Sequence, residues 1–239
     1  VITICELYVM ARPLGGGGGD SPDTAHCATG VTSVDSASGW ETYQLSCGLQ
    51  GGASNIYTIF GDSATTLTAP AAYQEAAPFG ANVGGVNPAF FPVSATAAVD
   101  SWLTVGLTEG NSGALSSIGI DWDSWTAGSG LSADNGAVFW MVPDNGPAGT
   151  VVLAQITVTA GSGGAVTMGA QGRSASGDDW KDDGVTFILA SGGGASVGGD
   201  NCDATVTAVD SVDGWNTYQL GLTLTNGASN IYTIFGNSD

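Results

Sequence analysis

Apolar side chains return at every second position along much of this chain. Tyr43, Leu45, Cys47 and Leu49 alternate with Thr42, Gln44, Ser46 and Gly48, and Tyr218, Leu220, Leu222 and Leu224 repeat the pattern further on. A period of two with one apolar side predicts a half-buried β-strand. The phrase that follows, "GASNIYTIFG" at 52–61, places Ile56 and Phe60 on one face and Tyr57 and Ile59 on the other. Apolar residues on both faces predict a central, covered strand. "SWLTVGL", "SIGIDW", "AVFWM", "TVVLAQITVT", "AVTMGAQG" and "VTFILA" read as further short strands, divided by turn signals such as Asp134-Asn135-Gly136 and Asp144-Asn145-Gly146-Pro147. No stretch carries the pattern of a capped amphipathic helix. The expected fold class is therefore all-β, a two-sheet sandwich of jelly-roll type with about 9–11 strands per module. The passage 64–98, rich in proline and aromatic residues, reads as an ordered excursion over one sheet and as a candidate binding loop.

"GASNIYTIFG" also stands at 227–236, and the identity extends outward. At a fixed offset of 175, residues 27–64 align without a gap onto 202–239, with 24 of 38 pairs identical. An internal repeat of this kind is the signature of a modular array. Cys47 falls on a core-facing slot that Leu222 fills in the second copy, while Asp62 and Asn237 exchange as turn residues do. Glycine-rich text precedes each copy, "GGGGGDSPDTAHC" and "SGGGASVGGDNC", and reads as linker. The expected organisation is a strand and linker over 1–26 that ends a preceding module, a complete sandwich module over 27–190, a linker over 191–201, and the opening strands of a repeated module over 202–239. With no Met at position 1, the chain reads as processed or incomplete at its start.

Composition narrows the environment. Only 10% of residues are charged, and three basic residues oppose 22 acidic ones for a net charge of −19. Such a surface repels nucleic-acid phosphates and anionic lipid, so neither is an expected partner. No apolar run reaches the length of a membrane helix. "VITICELYVMA" is not read as a secretory leader, because it contains Glu6 and lacks a basic start. Four cysteines point to an oxidising compartment. Cys27 with Cys47 is the preferred bond, pinning the start of the module to its second strand. Cys202 lacks the matching partner, and Cys5, of the same or a neighbouring chain, is the alternative. No Asn-x-Ser/Thr acceptor is present.

Catalytic chemistry has little to draw on. The single histidine, His26, sits beside Cys27 in the linker, so a hydrolase triad is not expected. A glycosidase needs two facing carboxylates, and Glu75 with Glu109, or either with Asp121, is the only pairing to consider. No phosphate loop, Cys-x-x-Cys or histidine metal spacing occurs. The chain is read as a non-enzyme without a cofactor. Calcium is the metal its oxygen ligands would suit: "DWDSW" sets Asp121 and Asp123 at a strand end, and "GDDWKDDG" gathers Asp178, Asp179, Asp182 and Asp183. The competing reading of both is polar turns on an acidic surface. Trp122 and Trp125 flank the first acidic pair and are the candidates for a glycan-stacking platform, whereas Trp40, repeated as Trp215, reads as packing.

"TYQL", "IYTIFGDS", "PAAYQEAAPFG", "GGVNPAFFP", "DSWLTVGLTEG", "DNGAVFWM", "VVLAQITV" and "MGAQGR", in this order over residues 40–187, resemble a β-rich module of very large secreted or cell-surface proteins of unicellular algae and related protists. The resemblance implies an extracellular, repetitive, structural protein and supplies no catalytic residues. The expected function is modules joining head to tail into a filament or surface fibre, with copies of the chain as the partner and a strand shared between subunits. An adhesin-like glycan- or calcium-binding module is the alternative, and a secreted glycosidase the third reading.

Overall fold

The computed structural model describes residues 7–11, 26–35, 39–189, 202–212 and 215–224, with backbone alone for 7–11, 202–212 and 215–224. The strands are β1 (Leu7–Ala11), β2 (Cys27–Asp35), β3 (Trp40–Leu49), β4 (Thr58–Gly61), β5 (Leu67–Ala69), β6 (Trp102–Leu103) and β7 (Leu115–Ile118). They continue with β8 (Leu131–Ala133), β9 (Gly136–Trp140), β10 (Thr150–Thr159), β11 (Gly164–Arg173), β12 (Asp179–Leu189), β13 (Cys202–Val212) and β14 (Trp215–Leu224). Short 3-10 turns are the only helical elements among the described residues, so the protein is all-β. It divides into two compact units, Asp20–Leu189 and a second made of Val1–Gly19 with Ala190–Asp239.

The first unit is a sandwich of two antiparallel sheets. One has four strands in the order β2-β3-β10-β6. In the other, of seven strands, β11 pairs with β12 along one edge and with β4 and then β5 along the other; β4 continues to β9 and β7, and β5 to β8. Leu45, Leu153 and Ile156 of the first sheet and Ile59, Val166, Met168 and Phe187 of the second are buried in one shared cluster. Each such side chain contributes roughly 1.5–3 kcal/mol by leaving water. The alternation in β3 works as its sequence predicts: Tyr43, Leu45 and Cys47 are buried, and Leu49 packs against the same core. β4 lies between β9 and β11, as a strand apolar on both faces should. Its Phe60 ring covers Gly169 on β11 so closely that a Cβ there would overlap it.

Alternation breaks instructively within β12. Trp180 and Asp182 of β12 are buried, and then Val185, Phe187 and Leu189 are, so the inward positions change from even to odd. The register against β11 slips at the same point, with Asp183 and Gly184 standing opposite a single residue. Gly184, at φ +68, supplies the left-handed conformation that such a bulge uses.

The excursion after β4 is ordered. It holds β5 and two 3-10 turns, Pro88–Phe90 and Ala95–Val99. Val86 and Ala97 bury themselves with Trp102 in a second, smaller core that also takes Phe79, Phe91 and Val152 of β10. Because Val151 and Leu153 of β10 point into the main core, the excursion covers the opposite face of the four-stranded sheet.

The second unit is a three-stranded antiparallel sheet in the order β1-β14-β13. Leu7–Ala11 pairs antiparallel with β14. The β13–β14 hairpin pairs Cys202 with Leu224 and Ala204 with Leu222, and its register slips between Ala208 and Asp210. In β2–β3, Cys27 pairs with Leu49 and Thr29 with Cys47, and the slip lies between Ser33 and Asp35. Every position in one hairpin is 175 residues from its counterpart in the other. The second "GASNIYTIFG", at 227–236, lies outside the described residues.

Candidate functional site

Cys27 and Cys47 form a disulfide diagonally across β2 and β3, with Cα atoms 5.2 Å apart. The alternative pairing of Cys5 with Cys202 lies outside the described residues and side chains. Immediately before Cys27, the lone histidine is held by two bonds and a ring contact. His26 Nδ1 lies 2.8 Å from Asp182 Oδ1, the His26 backbone N–H donates to Asp182 Oδ2 at 2.9 Å, and the ring stacks on Trp180 at 5.0 Å between centroids. Trp180 is itself held by donating its indole N–H to the carbonyls of Asn55 and Arg173. These contacts tie the entry to β2, in one sheet, to β12 in the other. Bonded to Asp182 and stacked on Trp180, His26 acts as a clasp closing one side of the sandwich.

The four aspartates of "GDDWKDDG" do not converge. The sequence reads them as one turn, but three lie on an extended strand, which sends neighbouring side chains to opposite faces. Asp178 accepts from Ser176, Asp179 faces Arg173 and Tyr57, Asp182 is buried against His26, and Asp183 pairs with Lys181. Asp121 and Asp123 likewise leave the expected strand, because β7 stops at Ile118 and the chain enters a 3-10 turn at Trp122–Ser124. Among the described residues no group of three or more His, Cys, Asp or Glu side chains is placed to hold a metal. Calcium therefore has no assembled ligand set at either predicted cluster.

The tryptophan pair is also placed differently. Trp125 is buried and donates its indole N–H to the Pro70 carbonyl at 2.9 Å. Trp122 is half-buried against the core, 6.4 Å from Trp125 and tilted to it, with its N–H on Ser117 Oγ. A buried ring has no face left to offer a sugar, so the expected two-ring platform does not form. Trp40 packs edge-on against Tyr73, the role its sequence context predicts.

Glu75 accepts from Tyr73 Oη at 2.8 Å. Hydroxyl donors, Thr96 first, hold its carboxyl below the usual range, which is the opposite of what a glycosidase acid needs. Glu109 stands at the surface, on an open concavity of about 390 Å³ shared with Val86, Asn87, Phe90 and Asn111. A second opening, of about 530 Å³, is floored by Ser54 and Asn55 and rimmed by Arg173 and Asp144, which pair with each other.

Sequence reasoning passed over Asp100. It is 1% exposed, and its carboxylate accepts the backbone N–H groups of Glu75, Ala81 and Ser101 at 2.7, 2.7 and 3.0 Å. Burial outweighs those three donors and pushes its pKa up to about 6. Gln155 of β10 donates to the carbonyls of Ala98 and Asp100 and so fastens the same excursion to the sheet. The available signal was an acidic residue opening the apolar run "SWLTV".

No family model, curated protein or solved structure matches the chain.

Proposed function

We propose that the chain is an extracellular, non-enzymatic structural protein whose sandwich modules join head to tail into a filament or surface fibre. Its module is read as one of the repeated β-rich modules of large secreted algal and protist proteins. The observation that carries this reading is the recurrence of one hairpin, with the same pairs and the same bulge, 175 residues apart. Repetition of a core element at a fixed interval builds arrays. The Cys27–Cys47 disulfide fits an oxidising compartment, and no described helix is long and apolar enough to cross a membrane. A jelly-roll wrapping is supported by β3 and β10, neighbours in one sheet although β4, β5, β7, β8 and β9, all in the other sheet, lie between them in sequence.

Electron microscopy and light scattering of the full chain, beside a chain ending at Leu189, test the proposal. Polymers formed by the full chain and lost on truncation support it, and polymers formed equally by both overturn it. The concavity bearing Glu109, Asn111 and Phe90 favours a second reading, a glycan-binding module. Glycan-array binding that disappears in Glu109→Ala would establish that role, and an array without signal would dismiss it.

A further inference from the structure

We infer that the outer edge of β14 is a strand-acceptor site, that β1 is the strand it takes, and that in the polymer this strand comes from a second copy of the chain. The inference rests on the assembly reading above and names its contact.

Two strand registers coincide. Beyond β3, strand β10 pairs Ala154 with Leu45, Gln155 with Gln44, Ile156 with Tyr43, Thr157 with Thr42 and Val158 with Glu41. Beyond β14, strand β1 pairs Leu7 with Leu220, Tyr8 with Gln219, Val9 with Tyr218, Met10 with Thr217 and Ala11 with Asn216. The five acceptor positions correspond one for one at the offset of 175, and both added strands run antiparallel. β1 thus occupies the place of Ala154 through Val158. A slip of one residue would move every side chain to the other face. In this register Leu7, Val9 and Ala11 take the positions of Ala154, Ile156 and Val158, which in the first unit are fully buried. The three inward apolar positions of β10 are therefore matched by apolar residues on β1. The two intervening positions differ: Tyr8 and Met10 replace Gln155 and Thr157, which in the first unit bond to the excursion.

β1 has five residues where β10 has ten, so it makes a shorter ladder that is easier to exchange. An isolated hairpin is marginal in water, and a third strand stabilises it whichever chain provides it. The donor precedes and the acceptor follows the whole unit Asp20–Leu189. Donor and acceptor are different surfaces, so exchange between copies makes a heterologous contact, which propagates into a filament wherever its rotation does not close a ring.

The test uses the full chain with Cys5→Ala and Cys202→Ala to remove competing thiols. Two opposed pairs are introduced separately, Tyr8→Cys with Gln219→Cys and Val9→Cys with Tyr218→Cys, because adjacent pairs alternate between close and wide spacing. Tyr8→Cys with Tyr218→Cys is the out-of-register control, and bonds are located by mass spectrometry after mild oxidation. At least one opposed pair should bond in at least tenfold excess over the control. Mixing chains that carry only Val9→Cys or only Gln219→Cys with chains carrying the opposed substitution should give interchain dimers that increase with concentration. Bonds confined to single chains at every concentration would overturn exchange between copies, and polymers still seen by microscopy would then leave the assembly reading standing on another contact. Opposed pairs that bond no better than the control would overturn β1 as the donor strand.

Discussion

The β2–β3 and β13–β14 hairpins share sequence and register but not surroundings. In the first, β3 is flanked by a ten-residue β10, a disulfide crosses the pair, and an excursion covers the outer face. In the second, β14 is flanked by five residues of β1, and Leu222 stands where Cys47 stood. The pairing itself is thus local, set by alternation and by the bulge, and it survives a change of neighbour. What differs is the apparatus that holds the third strand.

The largest effect on that contrast should come from Asp100. Asp100→Ala leaves three N–H groups, one buried and two partly buried, without their acceptor and should destabilise the first unit by about 4 kcal/mol in urea unfolding. Amide exchange in β13 should not change, and a matching loss of protection there would break the contrast. The same carboxyl sets a pH dependence. Its folded pKa of about 6 lies above the ordinary 3.8, so the native state binds the extra proton between those values. The associated stability is full below about pH 4 and is lost as pH rises through 6, with ∂ΔG/∂pH negative. The stability of wild type relative to Asp100→Asn should therefore fall between pH 4 and 7, and a flat or rising difference would contradict this assignment. Glu75 and Asp62, whose pKa values are lowered, work in the opposite sense but at lower pH.

Converting the first hairpin toward the second is the next test. Cys27→Ala with Cys47→Leu opens a loop of 20 residues and should cost about 3 kcal/mol. Reductant should lower the urea midpoint of the wild type and leave that of the variant unchanged. His26→Ala, which removes one of the two bonds to buried Asp182, should cost about 2 kcal/mol. It should also raise proteolysis at the entry to β2, and His26→Asn, with a nearby donor, should recover part of the loss.

Much of the framework was legible because strand alternation reports burial directly. β3, β9, β10 and β11 lie where their apolar periods place them, and the Cys27–Cys47 pair follows from a core-facing slot opposite the module's start. The acidic segments were harder. "GDDWKDDG" has the composition of a turn, yet it runs as a strand because Trp180 and Val185 anchor it on either side of the bulge at Gly184. Asp182 and Asp100 look like surface aspartates in sequence, and their burial depends on donors 156 and 19–25 residues away. The partner of β1 was equally hidden. A five-residue apolar strand carries no mark of the edge it will join, and only the register of the neighbouring hairpin reveals it.

Hydrogen–deuterium exchange of 216–220 in the full chain, compared with Val9→Pro, most directly tests the claim that β14 is completed by β1. Proline at position 9 removes a ladder donor and its φ freedom. The account predicts that some amides among 216–220 are protected in the wild type and lose at least tenfold of that protection in Val9→Pro. The same amides exchanging equally fast in both chains would contradict it.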